Sequence, residues 1–207
     1  METKEKILAA ALKLYNQNGI NTTTRHIAES MDISAGNLHY HFKQTNDIII
    51  ILYERLASEF DGLMVNLVAA QTQGIEPFYS FMERSFDVVY KYRFFFLNFV
   101  ELSIRIPAIQ KSYEQITERR KVEFKIIFRD LVKQGIFRND IPEDIWDALI
   151  KQIFIVGDFW LSNNALTSRF KGKQAASNFI QTTEAMIYPY LLQKVQISPN
   201  KKPGKSK

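Results

Sequence analysis

The stretch Thr22-Thr23-Thr24-Arg25-His26-Ile27-Ala28-Glu29-Ser30-Met31-Asp32-Ile33-Ser34-Ala35-Gly36-Asn37-Leu38-His39-Tyr40-His41-Phe42-Lys43 reads as two short helices joined by a tight turn. Thr22 to Thr24 offer hydroxyls that can accept from the free N–H groups of the first helix. Ile27, Ala28 and Met31 then share one helical face. Asp32 stands where the chain must turn, and Asp tolerates positive φ better than most residues. Ile33 plugs the turn into the core, and Ser34 can cap the second helix, in which Leu38 and Phe42 repeat at i, i+4. Ala35, Asn37, His39 and Tyr40 are left for a partner, and the small Ala28 lets the two helices cross closely. This plan is a helix-turn-helix, whose second helix can enter a DNA major groove.

Working outward, from Lys4 to about Leu56 the chain resembles the N-terminal domain of the TetR family of bacterial transcriptional regulators. The resemblance is carried in order by Ile7-Leu8-Ala9-Ala10, Leu14-Tyr15, Gly19, Thr23-Thr24, Ile27-Ala28, Ile33-Ser34, Gly36-Asn37-Leu38, Tyr40-His41-Phe42-Lys43 and Asp47-Ile48. Beyond that point the likeness is one of size and helical character. The resemblance implies roles by position. Ala35, Gly36 and Asn37 open the recognition helix, where Asn37 could read adenine and the Ala35 methyl could touch thymine methyls. His39, Tyr40 and His41 fall where the family divides its contacts between phosphates and groove edges. Thr24 and Arg25 resemble phosphate clamps at a helix start, with Lys43 as a further phosphate contact. Three positions depart from the family pattern: Asp32 replaces a frequent Gly, His39 a usual Tyr, and Thr45 a usual Lys. Fewer cations on phosphate imply a modest salt dependence.

Composition sets outer bounds. The 207 residues suit one large or two small domains, 46% of them are hydrophobic, and there is no cysteine for a disulfide or a zinc–thiolate site. No apolar run approaches the ~18 residues of a membrane span, and the mixed charges of Met1 to Lys6 do not resemble a signal segment. The expectation is a cytoplasmic bacterial protein with no membrane partner. The net charge of +5 is poor evidence for DNA binding, because Lys201, Lys202, Lys205 and Lys207 supply most of it. The first fifty residues balance Lys4, Lys6, Lys13, Arg25 and Lys43 against Glu2, Glu5, Glu29, Asp32 and Asp47.

The remainder reads as all-α, about nine helices in total. An N-terminal three-helix DNA-binding domain (1–47) precedes a C-terminal helical ligand-binding and dimerisation domain (48–195) and a basic, disordered tail (196–207). Helix 1 covers about Lys4 to Gln17 and stops at Asn18-Gly19. The fourth helix starts near Thr45, and its Ile48-Ile49-Ile50-Ile51-Leu52 block is apolar all round, so it should pack on the DNA-binding helices and on the next domain. Helices follow at about 76–92, 93–106, 107–134 and from 140 onward. The last, at about 174–193, is expected to bend at Pro189.

Sixteen Phe and nine Tyr can simply be core, or can form a pocket between helices for an apolar or aromatic effector. Tyr90, Phe99, Phe128 and Trp160 are the candidate walls, and the family resemblance favours the pocket. The helix from 140 onward is too apolar for one packed face, and Gly157 would admit a neighbouring helix. Ile150, Phe154, Gly157, Leu161, Met186 and Tyr190 are the candidate dimer residues, since in the family the final two helices form a four-helix dimer interface. The alternative is a fully intramolecular core. His39 and His41 lie about 200° apart around a helix, so they do not share a metal ion easily, and neither metal nor cofactor is expected. No catalytic motif or phosphate-cradling glycine loop occurs among only eight glycines. The reading is a ligand-responsive regulator, a repressor binding a palindromic double-stranded DNA operator as a homodimer. Its rival is a helical small-molecule or protein-binding module without specific DNA binding.

Overall fold

The computed structural model describes residues 3–70 and 74–192. The basic tail and the last residue of the expected final helix, Gln193, lie outside the described residues. Ten α-helices and one short 3-10 turn make up the described chain, and an isolated bridge between Phe137 and Leu191 is its only β pairing. The DNA-binding end comprises α1 (Thr3–Asn18), α2 (Thr24–Ser30) and α3 (Ala35–His41). Gly19, at φ +80°, ends α1 in the left-handed conformation that a glycine adopts without penalty.

α4 (Thr45–Ala69) joins the two ends of the molecule. Its Ile48, Ile49 and Leu52 are fully buried in one core with Ile7, Leu8, Ile27 and Leu38, and the same core runs on into Phe94 and Phe95. Ile50 and Ile51 pack against it from the side, which is what an all-round apolar helix requires. Polar clasps then fix α4 to its neighbours. Arg55 reaches Glu5 of α1 at 2.6 Å, and Glu59 accepts from Lys91 at 2.6 Å and from the Tyr92 hydroxyl at 2.7 Å.

Beyond α4 lie α5 (Glu76–Lys91), α6 (Arg93–Leu97), α7 (Phe99–Arg105), α8 (Pro107–Lys133), α9 (Glu143–Leu166) and α10 (Gly172–Ile187). A second core of Phe78, Phe124, Phe128, Phe137, Trp146 and Leu149 closes the far end. Two expectations are corrected here. The segment 93–106 is two helices, because the Asn98 amide donates to the Phe94 carbonyl at 2.7 Å and competes for a backbone acceptor. That break brings the count to ten rather than nine. The final helix does not bend through Pro189. It stops at Ile187, and Tyr188–Tyr190 tighten into the 3-10 turn.

Candidate DNA-reading surface and ligand cavity

The helix-turn-helix is held by local hydrogen bonds that its sequence supplies. Of the three threonines, only Thr23 caps α2, its hydroxyl accepting from the His26 N–H at 3.3 Å. His26 returns the contact, its Nδ1 accepting from the Thr23 N–H at 3.2 Å, so the pair forms a capping box with imidazole in the place of the usual Glu or Gln. Thr22 is buried and donates instead to the Gly19 carbonyl at 2.9 Å. Asp32 takes φ +54° at the turn, and the Ile33 N–H returns to the Ala28 carbonyl at 3.1 Å. Ser34 caps α3 by accepting from the Asn37 N–H at 3.1 Å.

Leu38 is buried while Ala35, Gly36, Asn37, His39 and Tyr40 are exposed, Tyr40 to 81%. A Cβ added at Gly36 would meet only the Ser34 Oγ, at 3.9 Å. The protomer itself therefore has no need of a glycine there, and the bare backbone leaves room for close approach by a partner. His41 is half-buried with its ring edge-on to Tyr40 at 5.2 Å, and Lys43 is exposed. Thr24 is half-buried. Arg25 is exposed but paired with Glu29 one turn on at 2.8 Å, so its charge is partly compensated before any phosphate arrives. Together these side chains occupy α3, the start of α2 and, in Lys43, the residue just past the α3 cap.

A cavity of about 160 Å³ lies between α4, α5, α8, α9 and α10, reached also by α6 and α7. Its walls are almost wholly apolar, with Phe81, Phe96, Phe99, Phe124 and Phe154 prominent and three flexible methionines, Met64, Met82 and Met186. Two charged residues break the lining, Arg120 and Asp158. Arg120 is buried and satisfied by Glu123 and Asp61. Asp158 accepts a hydrogen bond from the Tyr113 hydroxyl, and burial raises its carboxyl to about 6. Burial and this carboxylate in turn push the Tyr113 phenol up.

Comparison with known proteins gives the surface its context. A family model described as bacterial regulatory proteins, tetR family, matches residues 7–50. Another, TetR, described as a bacterial transcriptional repressor, matches residues 60–197. The chain belongs to the TetR family. This TetR-family protein is 26% identical over 133 residues to the regulator QacR of Staphylococcus aureus, covering 63% of this chain and 71% of QacR. A crystal structure of a TetR-family regulator from Marinobacter aquaeolei has the same fold at a TM-score of 0.81, with 27% identity over 93% of each chain. SmeT, the repressor of a Stenotrophomonas maltophilia multidrug efflux pump, shares the fold in its triclosan complex at a TM-score of 0.67, with 14% identity over 99% of each chain. The TetR-family protein described here is a DNA-binding transcriptional regulator. Among the described residues no helix is long and apolar enough to cross a membrane.

The structure sorts the remaining TetR-family site residues differently from their sequence pattern. Phe99 lines the cavity, but Tyr90, Phe128 and Trp160 do not. Tyr90 is exposed and stacked on Phe86; Phe128 is sealed into the far core against Trp146; Trp160 is wedged between Phe86 and Phe179. Helical periodicity marks all three as apolar-facing, but only tertiary packing says which face borders empty space.

Most of the expected dimer residues lie inside the protomer. Ile150 and Leu161 are buried inside the protomer, Phe154, Gly157 and Met186 face the cavity, and Tyr190 packs on Trp146. The exposed apolar stripe of α9 is instead Ile155, Phe159 and Leu166, within 40° of one another at 100° per residue. Two features were missed altogether. Asp158 is a charge within an apolar stretch of helix, and such a charge is itself a signal in the sequence. Asn16, at the end of α1, joins the DNA-binding end to the cavity walls: its amide donates to the Lys91 carbonyl at 2.8 Å, and its oxygen accepts from the Phe94 N–H at 3.1 Å.

Proposed function

We propose that this TetR-family regulator is a repressor that binds a palindromic operator as a homodimer and releases it when a small apolar or aromatic ligand fills the cavity. Residues 1–47 read the DNA, and residues 48–195 bind the ligand and pair the protomers. The observation that supports this is the continuity between cavity and helix-turn-helix. Tyr53 and Leu56 of α4 line the cavity, and Ile48, Ile49 and Leu52, from the adjacent residue to about two turns earlier, pack on the helices of the DNA-reading unit. A ligand that displaces the aromatic wall moves α4 as a lever. In a dimer this changes the separation of the two α3 helices from the ~34–36 Å that successive major grooves require. A coupling of about 1–3 kcal/mol changes operator affinity by about 5–150-fold.

Pairing through Ile155, Phe159 and Leu166 of α9, with Ala185 of α10 and Tyr188 of the 3-10 turn that follows it, would bury the exposed apolar stripe. These residues are all exposed, Leu166 to 81%, and a twofold axis makes such a contact self-complementary. On the operator, Asn37 reads a base edge, Ala35 contacts a thymine methyl, His39 and Tyr40 divide groove edge from phosphate, and Thr24, Arg25, His41 and Lys43 hold the backbone, with Gly36 at the closest approach. Selection of binding duplexes from a random pool, followed by footprinting, tests this reading. A palindromic footprint is expected, and recovery of no preferred sequence would count against it. Asn37→Ala should weaken selected duplexes by about 1–3 kcal/mol and relax one position. Lys43→Ala should weaken all duplexes alike and lower the salt slope by about 1.

A further inference from the structure

Building on the reading of the cavity as the effector site, we propose that its ligand class is a lipophilic cation, an amine or quaternary ammonium carrying an apolar or aromatic body, with Asp158 as the counter-charge. The case rests on how the two charges in the lining are disposed. Arg120 cannot greet an anion, because its guanidinium is already shared between Asp61 and Glu123, and Arg119 adds a second cation to Asp61 at 2.6 Å. That cluster is neutral as it stands. Asp158 is the opposite case. Among the described residues no ammonium or guanidinium lies within ion-pair distance of it, and its one protein hydrogen bond comes from a neutral phenol, Tyr113. An uncompensated carboxylate in an apolar cavity is costly unless a ligand supplies the missing charge.

The surroundings suit a cation in two further ways. Aromatic faces attract cations, and Asp158 is bracketed by rings. Tyr113 stands edge-on to Phe99 at 4.8 Å, and Phe154 is one helical turn before Asp158. Access is also provided, because Tyr113, Phe154 and Asp158 line both the cavity and an outer groove. The groove carries Glu118, Lys121, Asp147 and Lys151, two of each sign, so it gives a charged ligand a polar path without outbidding Asp158. Tyr53, on α4, faces the same carboxylate across the cavity and feels its charge. Neutralising Asp158 therefore acts on α4 directly.

The test uses the full chain and two probes of one shape, benzyltrimethylammonium and its uncharged carbon isostere, neopentylbenzene. Isothermal titration near neutral pH should show the cation binding at least ten times more tightly than the isostere. Asp158→Asn keeps an acceptor for the Tyr113 hydroxyl, and it should abolish that preference while leaving the isostere's affinity within about twofold. The carboxyl titrates at about 6, so binding of the cation at that pH should release protons, seen as a dependence of the heat on buffer ionisation, and its affinity should fall at lower pH. Equal binding of the two probes, or a cation affinity unmoved by Asp158→Asn, overturns the inference while the cavity remains an effector site. If neither probe binds, the inference falls, and if filling the cavity with Gly157→Leu also leaves operator binding untouched, the effector-site reading falls as well.

Discussion

Asn16→Ala tests how the DNA-reading end is joined to the cavity. α5 ends at Lys91 and α6 begins at Arg93, so the Lys91 carbonyl and the Phe94 N–H are among the terminal groups that a helix cannot satisfy itself. Asn16 serves both at once, at 2.8 and 3.1 Å, while its neighbour Tyr15 stacks on the Phe94 ring at 5.1 Å. Removing the amide loses two hydrogen bonds worth about 1 kcal/mol each and leaves a half-buried N–H unmet, a total of about 2–3 kcal/mol. For a chain of this length that corresponds to a fall in Tm of about 4–12 °C. Urea unfolding measures the stability loss, and hydrogen exchange reports it locally: the Phe94 amide should exchange faster in the variant, and amides in α9 should not. Because Phe95 and Phe96 line the cavity beside this joint, ligand coupling to operator affinity should weaken by about 0.5–2 kcal/mol. A loss of under about 0.5 kcal/mol with Phe94 as well protected as before would refute the clasp as a structural joint.

Other expectations follow from burial and exposure. The Asp158 carboxyl is raised from 3.8 to about 6 by burial, so the folded state holds a proton that the unfolded state has lost, and stability falls as pH rises through that window. Asp158→Asn should therefore gain up to about 3 kcal/mol at neutral pH and nothing near pH 4, in urea titrations at the two conditions. Gly157 sits within α9 facing the cavity, and an added Cβ meets nothing within 4 Å. Gly157→Ala should raise stability by about 0.5–1 kcal/mol, and a destabilised variant would show that the space is not open. Phe159→Glu places a charge in the proposed pairing stripe. Light scattering should find a monomer with an intact circular-dichroism spectrum, and a dimer of unchanged strength would move the interface elsewhere.

The DNA-reading unit was legible because its determinants are local. Thr23, Asp32 and Ser34 act within four residues of themselves, on caps and a turn whose chemistry any reader of the chain can apply. The Ile48-to-Leu52 block was legible for a related reason: an apolar circumference has to be buried on all sides, whatever covers it. The break at Asn98 was not legible, since an Asn in a helical run can point to solvent or turn back on its own backbone, and here it does the second.

By itself, then, the chain determined an all-helical protein with a recognition helix, because helix periodicity, capping and turn conformations are set by near neighbours in sequence. Only the tertiary structure decided which apolar faces meet each other, which meet the cavity and which meet water. Phe128 and Phe99 are both aromatic and both apolar-facing, yet one fills a core and the other borders a void. Phe154 and Phe159 lie five residues apart on one helix, and one turns inward while the other turns out. Asp158 is buried by residues distant in sequence, which raises its carboxyl, and accepts from Tyr113, forty-five positions away. Periodicity identifies a face, but long-range packing assigns its partner, and the charge that the cavity holds depends on that partner.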